Sequence, residues 1–182
     1  MNHAVIKTAR LLLRGFTLDD APEVQRLAGD YTVARNTLTI PHPYEDGMAG
    51  TWIRGLEEDE ERGISLVFAI ERDEDKQLIG SIGLSGIDTC HNHAELGYWV
   101  GQPYWGRGYA SEAASALVGF AFRILRLNRL FAYRFERNAA SERVLEKSGF
   151  QREGLLRRHV YKWGRYENLV LHAILNPTPE DR

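Results

Sequence analysis

With one cysteine, Cys90, in 182 residues, the chain cannot form an intrachain disulfide, and its fold must stand on packing and hydrogen bonds. No apolar run is long or uninterrupted enough to span a bilayer as a helix. Residues 1–9 lack the extended apolar core of a secretory signal. An excess of positive charge is missing too. Lys plus Arg number 23 against 25 Asp plus Glu, a formal net charge of −2, which argues against a general nucleic-acid binder. That balance still leaves room for a local basic patch. There is no internal repeat, low-complexity tract or Pro/Gly/Ser-rich linker, so residues 1–182 are expected to form one domain. These absences predict a cytoplasmic protein without a membrane or nucleic-acid partner.

What is present is enough apolar material, 43% of residues beside 26% charged, to bury a core of ordinary size. Residues 10–16 read as a short strand. Thr17 reads as an N-cap, with Asp19 and Asp20 in the first turn of a helix reaching about Ala28. Residues 36–47, punctuated by Pro41 and Pro43, read as loop; 48–61 reads as a helix whose acidic end faces solvent. β-rich runs at 65–71 and 78–87 flank a polar turn, and a third occupies 94–100. The clearest helix covers 109–125, with Ala113, Leu117, Phe120 and Ile124 recurring on one face. A strand at 130–135 and a helix at 139–148 follow, the helix stopped by Gly149. Runs at 155–161 and 166–175 read as strands around a tight turn at Trp163-Gly164. The order predicts a mixed α/β domain and by itself fits many folds.

The segment that carries chemical information is ELGYWVGQPYWGRGYASE, residues 95–112. A strand ends at Val100, a glycine-rich turn follows, and a long helix opens after Gly108. Such a turn aims unpaired N–H groups at one point, where the helix macrodipole adds positive potential. It suits a phosphate or pyrophosphate. Gly106 and Gly108 let the backbone approach the phosphates, and Arg107 adds a charged contact. A G-x-G before a helix also serves as a plain turn and cap. The Gly-Lys-Ser/Thr ending of a Walker loop and the third glycine of a dinucleotide fold are both missing.

The same stretch resembles the acetyl-CoA-binding motif Q/R-x-x-G-x-G/A of the GNAT N-acetyltransferases. Pro103 stands at the Q/R position, with Gln102 one place early, as in a branch that carries Pro-x-x-Gly-x-Gly. Downstream, Asn138-Ala139-Ala140-Ser141 and then Val144-Leu145-Glu146-Lys147-Ser148-Gly149-Phe150 are similar to the N-x-x-S … V-L-E-K-x-G-F segment of the ribosomal-protein alanine and serine acetyltransferases. The Leu-Leu-Leu-Arg of the first strand matches that branch as well.

The resemblance implies a GNAT α/β fold, a mixed twisted sheet of about seven strands flanked by helices. Acetyl-CoA would lie in a splay between the fourth and fifth predicted strands. Trp99 and Val100 would bind the pantetheine arm through their main chain, with an N–H there holding the oxyanion. Gly106, Arg107, Gly108, Tyr109 and Ala110 would hold the pyrophosphate. Glu95, sharing a strand face with Gly97 and Trp99, would take the proton of the attacking amine through a water. A solvent-facing strand-end glutamate is the plain alternative. Ser141 would bind the cofactor and assist the departing thiolate as hydrogen-bond donor or relay, or else cap its helix; Asn138 would position the cofactor amide, or make a turn.

Direct transfer needs no metal and no enzyme nucleophile. His91 and His93 offer one metal edge without a third ligand, Cys90 is an incidental thiol, and Tyr104 and Trp105 either line the acyl pocket or pack. The acceptor is expected to be a protein N-terminal α-amine, whose pKa near 8 makes deprotonation easier than for lysine. The alternatives are a polyamine, amino acid or aminoglycoside, or a CoA-binding module without catalysis. The acceptor cleft, from 36–48 and the Trp163 turn, offers few carboxylates for a polycation: Glu45, Asp46 and Glu167. A homodimer is one assembly left open.

Overall fold

The computed structural model describes residues 4–178. Its strands are β1 (Ile6–Lys7), β2 (Leu11–Arg14), β3 (Leu66–Arg72), β4 (Leu78–Asp88), β5 (His93–Val100), β6 (Arg129–Phe135), β7 (Gln151–Lys162) and β8 (Arg165–Leu175). The helices are α1 (Ala21–Ala28), α2 (Tyr31–Ala34), α3 (Met48–Glu61), α4 (Tyr109–Arg123) and α5 (Ala139–Lys147). The strands form one sheet in the order β1-β2-β3-β4-β5-β6-β8-β7. Neighbours are antiparallel except β5 and β6, which run parallel with α4 as the crossover between them.

Among the described residues eight strands stand where about seven are expected, because the two-residue β1 pairs with β2 and is too short to show a period. Strand β7 starts at Gln151 rather than 155. Its first residues are polar, and irregular register at Arg152/Gly154 and Leu156/Val160 breaks the alternation by which a strand is read. Helix α1 also starts later than Thr17. A 3-10 turn, Leu18–Asp20, comes first, and the Asp20 carboxylate accepts from the Thr17 N–H (2.8 Å). Rather than serving a helix dipole, that carboxylate takes two bonds from Arg14, which also reaches Glu71 at 2.6 Å. Burial works to raise the Asp20 pKa, but the Arg14 and Thr17 bonds outweigh it and hold the carboxyl below its usual range.

The larger core lies between the sheet and α4 and α5. Ala113, Leu117 and Ala121 of α4 and Leu145 of α5 meet Phe68, Ile82 and Leu96 there. A smaller core joins α1 and α3 to the other face through Val24, Ala49, Ile53 and Ala69. Trp99 packs against both. The expected α4 stripe holds at Ala113 and Leu117 but fails at Ile124, which is 64% exposed. The helix ends at Arg123, one residue too early to carry Ile124 inward, and Leu127 enters the core in its place. Gly149 follows α5 with φ +89°, and Trp163 and Gly164, at φ +50° and +86°, make the two-residue turn joining β7 to β8.

Candidate active site

β5 and β6 pair only where His93, Ala94 and Glu95 face Arg129, Leu130 and Phe131. Past Glu95 the two strands part. The opening is one end of a cleft of ≈1480 Å³, larger than a single small ligand needs. Strand register decides which main-chain groups face it. The Gly101 N–H donates to the Ile79 carbonyl at 2.9 Å, and alternation then turns Trp99, Gly97 and Glu95 towards β4. Leu96, Tyr98 and Val100 turn their main chain towards the splay. The expectation for Val100 fits its N–H. That for Trp99 does not: its main chain faces β4, although the residue lines the cleft. The Val100 carbonyl accepts from the Trp105 indole N–H at 2.6 Å, which gives that exposed indole a structural bond.

At the far end of β5 lies the glycine turn. Gly106 and Gly108 have φ +75° and +83°, angles that side chains rarely tolerate. The first bond of α4 runs from the Glu112 N–H to the Gly108 carbonyl. The amides of Tyr109, Ala110 and Ser111 precede it and have no intrahelical partner. All three residues, with Gly106 and Gly108, line the cleft. Unpaired amides at a helix start that line a cleft are suited to an anion. Arg107 is exposed and does not line the cleft, and its carbonyl accepts from Arg10 Nη1 at 3.1 Å.

Arg10 is not legible as a site residue in the sequence. It ties the turn to the sheet: Nε donates to Glu112 Oε2 (2.7 Å) and its backbone N–H to Oε1 (2.9 Å), while its guanidinium lies over the Tyr109 ring. Burial works to raise the Glu112 pKa; the Thr8 and Arg10 bonds outweigh it and hold the carboxyl low. An acidic residue in the first turn of α4 is the one signal in the sequence.

Glu95 sits at the pivot where the strands part. It is half-buried and lines the cleft, and burial alone raises its pKa above the ordinary 4.5. Across the splay, Asn138 caps α5: its Oδ1 accepts from the Ser141 N–H at 3.1 Å. The Ser141 hydroxyl is therefore not the cap. It lies 2.7 Å from the Tyr98 hydroxyl, a partner that sequence reading missed because 43 residues separate the two. Burial pushes the Tyr98 phenol up to about 12.

The far wall is the loop between α2 and α3, with Thr37, Ile40, Tyr44 and Asp46 among its lining residues. Trp163 does not line the cleft. It stacks on Tyr31 (ring centroids 5.4 Å), while Lys162 donates to the carbonyls of Thr37 (2.5 Å) and Ile40 (3.3 Å). Glu167 is engaged by Arg137 and Arg165, and Asp46 accepts from Gln25. Tyr104 is buried, its hydroxyl on Gln77 (3.0 Å). Cys90, His91 and His93 lie around the β4–β5 turn, where the Asp88 carboxylate accepts from the backbone N–H groups of Cys90 and His91. Among the described residues no three His, Cys, Asp or Glu side chains gather as a metal site, and no helix is long and apolar enough to cross a membrane.

This chain is similar to known proteins in sequence and in fold. An uncharacterized N-acetyltransferase of Bacillus subtilis, YoaA, is 34% identical over 95% of this chain and 97% of its own length. The [ribosomal protein uS5]-alanine N-acetyltransferase of Escherichia coli is 28% identical over 94% of this chain and 91% of its own. The crystal structure of a GNAT-family acetyltransferase from Bacillus anthracis superposes with a TM-score of 0.84 at 26% identity, covering 96% of this chain and all of that one. Residues 10–151, which run from Arg10 through the splay, the glycine turn and α5, match the Acetyltransferase (GNAT) domain. The chain belongs to the GNAT family, and it is an acetyl-CoA-dependent N-acetyltransferase.

Proposed function

We propose that this enzyme acetylates a protein N-terminal α-amine, of the kind found on ribosomal proteins, by direct attack on the thioester. The observation that carries this reading is the pairing of a desolvated carboxylate, Glu95, with a far wall poor in free carboxylates. An α-amine has a pKa near 8 and needs only a modest base, and a carboxyl raised by burial is better matched to that task than a free one. A polyamine calls for several unengaged carboxylates. Of the three near the expected cleft, Asp46 and Glu167 already have partners and Glu45 does not line the cleft; Asp59 of α3 is a single further carboxylate in the lining, fewer than a polycation calls for. The uS5-alanine acetyltransferase among the relatives supports the same acceptor class.

In this mechanism the amides of Tyr109 to Ser111 hold the pyrophosphate, and the pantetheine arm runs along the unpaired edge of β5. The amine attacks the thioester carbon, Glu95 takes its proton, and the Tyr98 and Val100 N–H groups stabilise the oxyanion. Ser141 then donates a hydrogen bond to the leaving thiolate. The test is an acceptor panel with acetyl-CoA, reading free thiol: N-terminal peptides of ribosomal proteins, spermidine, an aminoglycoside and free amino acids. The peptides are expected to give the highest kcat/KM. A preference for spermidine overturns the acceptor assignment, and no turnover with any amine favours a CoA-binding module.

A further inference from the structure

We propose that Tyr98 is a positioning residue for Ser141, holding its hydroxyl so that the hydroxyl proton points at the sulfur of the departing thiolate; this rests on the Ser141 role proposed above. The Tyr98 hydroxyl is 2.7 Å from Ser141 Oγ and 3.3 Å from the Ser141 carbonyl oxygen, and both residues line the cleft. The contact joins β5, one edge of the splay, to α5, which follows β6 in the chain.

A serine hydroxyl in a helix commonly turns back to the carbonyl four residues earlier. Ser148, at the other end of the same helix, does this: its Oγ donates to the Val144 carbonyl at 2.9 Å. Ser141 differs. Its backbone N–H is already met by Asn138, so the hydroxyl is not needed as a cap, and its partner is Tyr98. A phenol has one proton to give, and a serine hydroxyl has one proton and two lone pairs. In the proposed arrangement Tyr98 gives its one proton to Ser141 Oγ, the nearer of its two acceptors (2.7 Å against 3.3 Å to the Ser141 carbonyl), and so donates into one Ser141 lone pair. That leaves the Ser141 proton for a second acceptor inside the cleft, where the thioester of a bound donor lies.

The step balances without moving a proton through this pair. The amine nitrogen forms the new N–C bond, the C–S bond breaks, and its electron pair goes to sulfur. The amine proton passes to Glu95 and on to solvent. Ser141 contributes one hydrogen bond to the thiolate, and Tyr98 contributes the orientation of that bond.

The experiment measures kcat, acceptor KM and calorimetric CoA affinity for Tyr98→Phe, Ser141→Ala and the double variant. Each single change is expected to lower kcat roughly ten- to a hundredfold, the worth of a hydrogen bond to a charged group. CoA affinity and acceptor KM should stay within about twofold, and the double variant should be no slower than Ser141→Ala. Losses that multiply in the double variant, or a Tyr98→Phe loss confined to KM or CoA affinity, would overturn the inference. Wild-type rates in Tyr98→Phe beside a slow Ser141→Ala sink the Tyr98 role alone. Wild-type rates in Ser141→Ala sink the Ser141 role and this one with it.

Discussion

The two walls of the cleft are held by different means. On the donor side, Gly106 to Ser111 are contiguous, and their shape follows from two positive φ angles and the opening turn of a helix. Asn138 and Ser141, across the splay, lie three residues apart. On the acceptor side, the loop between α2 and α3 has few backbone bonds of its own and is held by side chains from far along the chain. Arg137 reaches the Asn36 side chain (2.8 Å) and the Arg35 carbonyl (2.6 Å), and Lys162 reaches Thr37 and Ile40. The donor wall presents main chain, which constrains few side-chain identities. The acceptor wall presents side chains, which can change without disturbing the cofactor.

The sharpest test of this division is at the pivot. Glu95→Gln is expected to lower kcat/KM for the acceptor by roughly 10²–10⁴-fold with CoA affinity unchanged. Residual activity should climb between pH 6 and 9 as more of the amine is already neutral. The same variant should gain stability. Burial raises the Glu95 pKa, so the cost to folding accumulates as pH rises from the ordinary 4.5 to that raised value and is constant above it. Below the ordinary value of 4.5 both folded and unfolded chains hold the proton and no cost exists. Glu95→Gln should therefore melt higher than wild type at pH 8 and equally at pH 4. Wild-type activity across the range from pH 6 to 9 would remove Glu95 from the mechanism.

Gly108→Val should weaken CoA by about ten- to a hundredfold, since a β-branched residue is strained at φ +83° by roughly 1–3 kcal/mol. Its new Cβ would also lie 3.5 Å from the Arg10 guanidinium. Relative rates among acceptors should not change. If calorimetry finds normal CoA affinity in a folded variant, the turn does not hold the pyrophosphate.

Lys162→Met makes the complementary cut. Losing two bonds from a charged donor to the loop should raise acceptor KM about three- to tenfold and leave CoA affinity alone. A fall in CoA affinity instead would mean that the two walls are one mechanical unit. The smallest effect is expected from Arg10→Ala. The half-exposed Arg10–Glu112 pair is worth little by itself, so CoA affinity should fall only about two- to fivefold, measured by titration.

Much of the donor wall is legible in the sequence. The glycine turn, the α4 start and the α5 cap each occupy a few consecutive residues, and local backbone preference leaves little choice there. The face that Glu95 takes follows from strand alternation, while its role comes from the resemblance. The acceptor wall is legible only as a loop. Neither Pro41 nor Pro43 reveals that Lys162 will reach Thr37, and the Trp163 turn, expected in the cleft wall, instead braces Tyr31. Trp99 illustrates a different gap. Its strand and face are readable, but which neighbour takes its main chain depends on register between β4 and β5.

The order of residues alone determined the mixed α/β class and placed the glycine turn before α4 and the carboxylate on β5, because each rests on periodicity or on angles within one turn of chain. Tertiary structure decided which groups meet. It opened β5 from β6 past Glu95, set the Tyr98 hydroxyl on Ser141, and tied Arg10 to Glu112 across 102 residues. Those contacts depend on the packing of α4 and α5 against the twisted sheet. No local preference encodes the distance between elements that only the assembled core brings together.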